Sequence, residues 1–99
     1  MKQIIDRVHA KGLRIFGGTL TPIGGSKYDN PQAEQTREAV NNWIRTSGAF
    51  DGVVDFAKAT EDPANPEYFL PQYNSGDSLH ADDAGYQAMA NAIDLKMLK

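Results

Sequence analysis

The stretch that decides the fold is Leu13-Arg14-Ile15-Phe16-Gly17-Gly18-Thr19-Leu20, a compact and mostly apolar run. It is too short for a helix, and Pro22 bounds it on the carboxyl side. A run of this kind predicts a strand that is buried on both faces. Strands of that type belong to parallel sheets, so the stretch already favours an α/β fold.

A helix and a second strand follow the first one. Residues 33–47 have helical spacing, and Gly48 ends that helix. Phe50 and then Gly52–Phe56 form another short, β-branched run that predicts an interior strand. A helix between two such strands predicts a parallel pair joined by a right-handed crossover.

The spacing of side chains in the helix at 33–47 predicts which face is buried. One stripe is mostly apolar, and the opposite face is charged. The stripe consists of Thr36, Val40, Trp43, Ile44 and Ser47, and the charged face of Glu34, Arg37, Glu38 and Arg45. We expect the stripe to pack on the sheet, with Trp43 in the core.

Two further helices complete the predicted order α-β-α-β-α. The first spans residues 2–11 and stops at Gly12, whereas residues 21–31 and 61–75 are predicted to be irregular because they are rich in turn residues. The last helix begins after the cap Asp82 and runs to about Leu95. Its predicted buried face comprises Ala84, Met89, Ala90, Ile93 and Met97.

Two strands are few for an α/β domain. The 99 residues leave room for a single domain over residues 1–99. Both edges of a two-stranded sheet expose unpaired backbone groups, so such a sheet is a poor core by itself. The sequence therefore predicts the later part of a larger α/β domain, completed by self-association into a homo-oligomer.

Composition excludes several classes of protein. The hydrophobic fraction is 40%, no apolar run is long enough to cross a membrane, and the ten basic residues are scattered in a chain of net charge −3, so nucleic acid is not an expected partner. The absence of cysteine excludes disulfides, a thiolate nucleophile and a Cys-ligated zinc site. The first residues lack the features of a signal peptide, and the compartment is left open.

Asp77 and His80 are the candidate site residues, because they stand three apart just before a helix. A histidine that acts as a general base needs an acceptor to fix its tautomer, and a carboxylate three residues away can serve. The same pair is also compatible with a plain turn contact. A third interpretation takes Asp77, His80, Asp82 and Asp83 as metal ligands, although Asp82 and Asp83 are better explained as a cap and a first-turn acid.

Four segments carry a family resemblance that covers most of the chain. They are Gly18-Thr19-Leu20-Thr21-Pro22-Ile23-Gly24-Gly25, Val40-Asn41-Asn42-Trp43-Ile44-Arg45, Phe50-Asp51-Gly52-Val53-Val54-Asp55-Phe56 and the run from Asp77 to Ile93. Together they resemble the C-terminal portion of the SGNH (GDSL-like) hydrolases, a family of lipases, esterases and carbohydrate acylesterases whose members are often secreted. Ala81 and Asp82 stand where that family usually has Pro and Asn.

The resemblance implies a partial flavodoxin-like three-layer fold in which the two strands match the last two of the family. It implies that Asp77 and His80 match the acid and base of a Ser-His-Asp triad. The expected substrate is a small ester, and no cofactor or metal is expected.

The nucleophile of that triad is not obvious. The family's serine stands in a Gly-Asp-Ser block after the first strand, and its oxyanion donors stand in two later blocks, but these 99 residues contain none of the three. Gly76-Asp77-Ser78-Leu79 repeats the letters only by coincidence. Ser26, in the loop after the first strand, is the best internal candidate, while Ser75 and Ser78 are nearer in sequence. Gly24 and Gly25 are candidate backbone donors or simply turn glycines.

Two functions therefore remain open. The first is a carboxylic ester hydrolase, such as an esterase, lipase or acylhydrolase, with His80 as base and Asp77 orienting it. The alternative is a catalytically inert, truncated remnant that folds as a homo-oligomer.

Overall fold

The computed structural model describes residues 2–95. The chain is mixed α/β, and a small parallel sheet lies among its helices. The elements are α1 (Lys2–Ala10), β1 (Phe16–Gly18), α2 (Pro31–Thr46), β2 (Gly52–Val54), α3 (Phe56–Thr60), β3 (Glu61–Asp62), β4 (Asn65–Phe69), a 3-10 helix (Pro71–Tyr73) and α4 (Asp83–Asn91). In residues 2–95, no helix is long and apolar enough to cross a bilayer.

The parallel pairing of β1 and β2 confirms the central prediction from the sequence. Phe16 lies opposite Gly52, and Gly18 lies opposite Val54. The Thr19 N–H donates to the Val54 carbonyl at 3.1 Å and so extends the ladder beyond the last paired residue. With α2 as the crossover, these strands form part of a flavodoxin-like fold.

Both strands are shorter and less buried than predicted. Each contains three residues, and Leu13 and Leu20, at the ends of the predicted first strand, are 59% and 48% exposed. The prediction of a strand buried on both faces is therefore wrong. Aromatic rings nevertheless approach both faces of β1, because a Cβ added to Gly17 would lie 2.7 Å from the Phe50 ring and one added to Gly18 would lie 2.8 Å from the Phe56 ring.

Helix α2 begins where the local sequence favours a start. The Asn30 side chain accepts a hydrogen bond from the Ala33 N–H at 2.8 Å, and Pro31 occupies the first turn, where its missing N–H costs nothing. The helix ends at Thr46, close to the predicted boundary.

The predicted buried face of α2 is wrong except for Ile44. The side chains that are buried are Glu34, Arg37, Asn41 and Ile44, whereas Thr36, Val40, Trp43 and Ser47 are exposed. Trp43 does not fill the core; its ring packs edge-to-face on Phe50 with 5.7 Å between centroids.

A cluster of hydrogen bonds explains why polar side chains of α2 are buried. Asn41, 2% exposed, accepts from the Leu20 N–H at 2.7 Å and donates to the Leu20 carbonyl at 3.0 Å. Arg37 donates to the Leu20 and Pro66 carbonyls, each at 3.2 Å, and pairs with Glu34. Burying these groups is tolerable because each one has partners.

Residues 61–69 form a hairpin, so the prediction of irregular chain there is wrong. Strands β3 and β4 pair antiparallel, with Glu61 opposite Phe69 and Asp62 opposite Asn65. The Asp62 side chain closes the turn by accepting from the Ala64 N–H at 3.0 Å. Pro66 is tolerated because the hairpin has only two strands, which leaves an edge where no N–H is needed.

Helix α4 is capped as predicted but is shorter. Asp82 accepts from the Gly85 N–H at 2.7 Å, and the helix ends at Asn91 rather than near Leu95. The predicted buried face is wrong, since Gly85 is the buried residue of α4. Within that face Ala84, Ala90 and Ile93 are exposed, Met89 is half-buried, and Met97 lies outside the described residues.

Glycine at position 85 has a steric reason. A Cβ at this position would lie 2.8 Å from both the Tyr73 carbonyl and the Ala81 Cβ. The first turn of α4 therefore approaches the 3-10 helix so closely that only glycine fits at position 85. This contact fixes the end of the loop that precedes α4.

Candidate active site

Asp77 and His80 lie in the loop between the 3-10 helix and α4, here called the acid–base loop (residues 74–82). Two backbone hydrogen bonds close its neck. The Ser75 N–H donates to the His80 carbonyl at 3.1 Å, and the Asp82 N–H donates to the Tyr73 carbonyl at 2.8 Å. The loop is therefore a closed unit rather than a free connection.

The two candidate residues contact each other directly. Asp77 Oδ2 lies 2.7 Å from His80 Nδ1, and Asp77 Oδ1 accepts the backbone N–H of His80 at 2.8 Å. An ionised carboxylate can only accept, so Nδ1 carries the proton in this contact. In the neutral ring Nε2 is then unprotonated, which is the state required of a general base.

The surroundings of Asp77 keep its carboxylate ionised. The hydrogen bond from the His80 ring is the main cause that holds the pKa of Asp77 far below its ordinary value, and the backbone N–H groups of His80 and Leu79 add to it. The Ser75 hydroxyl donates to the same carboxylate at 3.0 Å. The side chains of Asp77 and His80 are 50% and 64% exposed, so the pair is open to solvent.

Asn74 is a site residue that was not predicted from the sequence. Its Oδ1 accepts from the N–H groups of Gly76 at 2.8 Å and Ser78 at 3.0 Å, and its Nδ2 donates to the Ser78 hydroxyl at 3.1 Å. The available signal was an Asn two residues before a Gly, a pattern typical of Asx turns.

The structure brings Ser26 and His80 to one cavity. A pocket of about 360 Å³ is lined by Ser26, Lys27, Tyr28, Asp77, Leu79 and His80. Ser26 is buried, and its hydroxyl oxygen accepts from the Tyr28 N–H at 3.3 Å. Among residues 2–95, no serine hydroxyl hydrogen-bonds to the His80 ring.

The two nearer serines have other partners. Ser75 donates to Asp77, and Ser78 binds Asn74. Ser78 also has a backbone φ of 60°, a left-handed conformation that is uncommon outside glycine. Both hydroxyls therefore take part in holding the acid–base loop.

Gly24 and Gly25 do not offer free oxyanion donors. The Gly24 N–H donates to the Glu67 carbonyl at 2.7 Å, and the Gly25 N–H donates to Asp29 at 2.9 Å. Gly25 has a φ of 82°, which confirms its role as a turn glycine. Gly24 instead allows close approach, since a Cβ there would collide with the Glu67 carbonyl and the Tyr68 ring.

The acidic residues of the metal-site interpretation have separate roles. Asp82 caps α4, and Asp83 is exposed in its first turn. In the part of the chain from residue 2 to 95, no group of three or more His, Asp or Glu side chains is placed to hold a metal ion.

An apolar groove adjoins the pocket at Leu79. It encloses about 430 Å³ and is lined by Leu20, Thr21, Ile23, Ala33, Thr36, Arg37 and Leu79. Leu79 lines both cavities and directly precedes His80. Leu79 thus borders both the pocket of the acid–base pair and the apolar groove.

Comparison with known proteins yields one family. The chain matches the GDSL-like Lipase/Acylhydrolase family over residues 1–88. It belongs to that family. The match covers β1, β2 and the acid–base loop, and membership in this hydrolase family fits a small ester substrate. No curated protein matches the chain.

Proposed function

We propose that the chain hydrolyses small carboxylic esters by acyl transfer, with His80 as the general base and Asp77 as the residue that orients it. The observation that carries this proposal is the 2.7 Å contact between Asp77 Oδ2 and His80 Nδ1. A carboxylate on Nδ1 leaves Nε2 as the proton acceptor, and family membership names the reaction class.

Every proton in the proposed reaction passes through His80 Nε2. That atom takes the proton of a serine hydroxyl while the oxygen attacks the ester carbonyl, and it then gives the proton to the departing alcohol. Water attacks the acyl-serine in the second step, loses a proton to Nε2 and releases the acid, after which the serine recovers its proton. Asp77 stays ionised and stabilises the imidazolium formed in both steps.

Ser26 is the proposed nucleophile within this chain, and a serine from a partner chain is the other source. Ser26 is supported by its place in the same pocket as His80. Its hydroxyl accepts a backbone N–H, so its own proton is left to donate elsewhere. The groove beyond Leu79 is a suitable site for the acyl part of the ester because its lining is mainly apolar.

The test is hydrolysis of a short-chain nitrophenyl ester by the pure protein and by two variants. His80→Ala removes the base and should abolish activity above background. Ser26→Ala should do the same if Ser26 is the nucleophile, whereas full activity would assign that role to another serine. Asn42→Ala, at an exposed position of α2, is the matched control and should retain activity. Activity that survives His80→Ala would contradict the proposal.

The alternative is a catalytically inert chain that folds as a homo-oligomer. It is supported by the two-stranded sheet β1–β2, whose outer edges have no strand partner within residues 2–95, and by the exposed Ile4, Leu13 and Leu20. Self-association is compatible with both functions, and light scattering tests it by measuring the mass of the protein in solution. A dimer or larger species is expected, and a stable monomer would contradict it.

A further inference from the structure

The pair Asp77 and His80 is exposed, and this creates a problem for its geometry. Exposed ion pairs between mobile side chains contribute little and are easily replaced by water. The 2.7 Å contact between them must therefore be supported by the backbone that carries both residues. That backbone belongs to the acid–base loop.

Two positions in this loop have backbone angles that need support. Gly76 has a φ of 118° and Ser78 a φ of 60°, and these residues flank Asp77 on either side. For a residue with a side chain, the left-handed region is sterically unfavourable. Serine has no intrinsic preference for this conformation, so contacts with another group must stabilise it.

Asn74 is placed to hold both positions. Its Oδ1 accepts the N–H of Gly76 at 2.8 Å and the N–H of Ser78 at 3.0 Å. Its Nδ2 donates to the Ser78 hydroxyl at 3.1 Å, which places three hydrogen bonds on the residues flanking Asp77. Because both backbone N–H groups are donors, the atom that they contact must be the amide oxygen, and this fixes the orientation of the Asn74 side chain.

Asn74 is itself anchored. It forms an isolated antiparallel bridge with Ala81, at the neck of the loop, and its side chain is half-buried. The neck is fixed in turn by the close approach of Gly85 to the Tyr73 carbonyl. The contact of α4 with Tyr73 therefore holds the base of the loop, where Asn74 lies. Asn74 in turn holds the residues around Asp77, and Asp77 binds His80.

From these contacts we infer that Asn74 is a positioning residue, which holds the acid–base loop in the conformation where Asp77 orients His80. The inference rests on the proposed function for its consequence in catalysis. Asn74 acts on His80 through Gly76 and Ser78, the residues on both sides of Asp77.

The first test is spectroscopic and does not require turnover. Long-range ¹H–¹⁵N correlation spectra report which nitrogen of neutral His80 carries the proton. In the wild type the Nδ1–H form should dominate. Asn74→Ala should convert much of it to the Nε2–H form, and the pKa of Asp77, followed by its carboxyl ¹³C signal, should rise toward the ordinary value. An unchanged tautomer and an unchanged Asp77 titration would overturn the inference.

A conservative variant separates positioning from general stability. Asn74→Asp keeps an oxygen that accepts both N–H groups, and the Ser78 hydroxyl can donate to its second oxygen. This variant should restore the Nδ1–H form that Asn74→Ala loses. Asn42→Ala, at an exposed position of α2, should behave as the wild type. If Asn74→Asp matched Asn74→Ala, the hydrogen bonds would not be the cause.

Should Asn74→Ala fail to fold, hydrogen exchange of the wild type tests the same contacts. The amide protons of Gly76 and Ser78 should exchange at least about tenfold more slowly than in an unstructured peptide. Unprotected exchange at both sites would overturn the inference.

Activity gives the last readout. In an active protein, Asn74→Ala should lower kcat by roughly tenfold to a hundredfold with little change in KM, because a misplaced base harms the chemical step more than binding. A wild type without activity would sink the proposed function, while the tautomer measurement would still decide the role of Asn74.

Discussion

Two aspartates of this chain anchor hydrogen-bond clusters of opposite character. Asp77 binds groups at most three residues away, all within the acid–base loop, and lies at the surface. Asp55 joins distant segments: its carboxylate accepts from the Thr19 hydroxyl at 2.9 Å, from Arg45 through two bonds, and from the Lys58 N–H at 3.1 Å. The first cluster leaves the His80 ring open to solvent, whereas the second joins the ends of β1 and β2 to α2 and α3.

Asp77 belongs to the proposed catalytic pair, whereas Asp55 holds distant segments of the fold together. Both carboxylates have lowered pKa values, so the shift alone does not distinguish them. What distinguishes them is the partner: Asp77 binds an imidazole, a group that can take up and release a proton during a reaction, whereas Asp55 binds a guanidinium, which stays protonated. Replacement of each aspartate should therefore affect a different property.

The largest effect is expected from Asp77→Asn on activity. The new amide would donate to His80 Nδ1 and impose the wrong tautomer, which costs about ten-thousandfold in kcat in serine hydrolases that use a triad. The melting temperature should stay close to that of the wild type, because the lost contacts are local and exposed. Steady-state kinetics and thermal unfolding measured on the same sample check both statements, and a variant with near-normal kcat would contradict the assignment of Asp77.

A smaller effect is expected from Asp55→Ala, and it should appear in stability. The change removes the N-cap of α3 and leaves Thr19 and Arg45 without an acceptor, so the free energy of unfolding should fall by about 2 kcal/mol. Urea unfolding checks this value. Asp6→Ala, an exposed acid on α1, is the control and should change little. An equal loss of unfolding free energy in the two variants would contradict the structural role of Asp55.

The smallest effect is expected in the pH dependence of stability. Burial raises the pKa of Asp55, but its hydrogen bonds to Arg45, Lys58 and Thr19 together outweigh burial and leave the pKa below the ordinary value. Its contribution is therefore complete above the unfolded-state pKa and is lost as pH falls through the folded-state pKa. The stability difference between wild type and Asp55→Asn should shrink in acid, as measured by urea unfolding at several pH values. A difference that grows in acid would contradict the sign.

Local features of the chain were predictable from the sequence for a physical reason. The contact between Asp77 and His80, the cap at Asp82 and the stop at Gly12 depend on residues within one turn of each other. The parallel pairing of β1 and β2 followed from the helix between them. These predictions needed no knowledge of distant partners.

Features that depend on distant partners were missed. Arg37 and Asn41 look like surface residues by type, and they are buried because carbonyls at Leu20 and Pro66 accept their hydrogen bonds. Strand β4 was also missed, because it contains Pro66 and a proline argues against a strand unless that strand lies at the edge of a sheet. The role of Asn74 was missed for a different reason, because its partners are local: an Asn two residues before a glycine indicates an Asx turn but does not indicate what that turn positions.

The Asn41 side chain also limits how far another strand can pair along the open edge of β1. Its amide binds both the N–H and the carbonyl of Leu20, as a neighbouring strand would. A strand from a second copy that paired along β1 would find these groups occupied immediately after Thr19. The side chain thus sets a limit to sheet extension, and any interface built on the open edge of β1 must be short or must displace an amide that is 2% exposed.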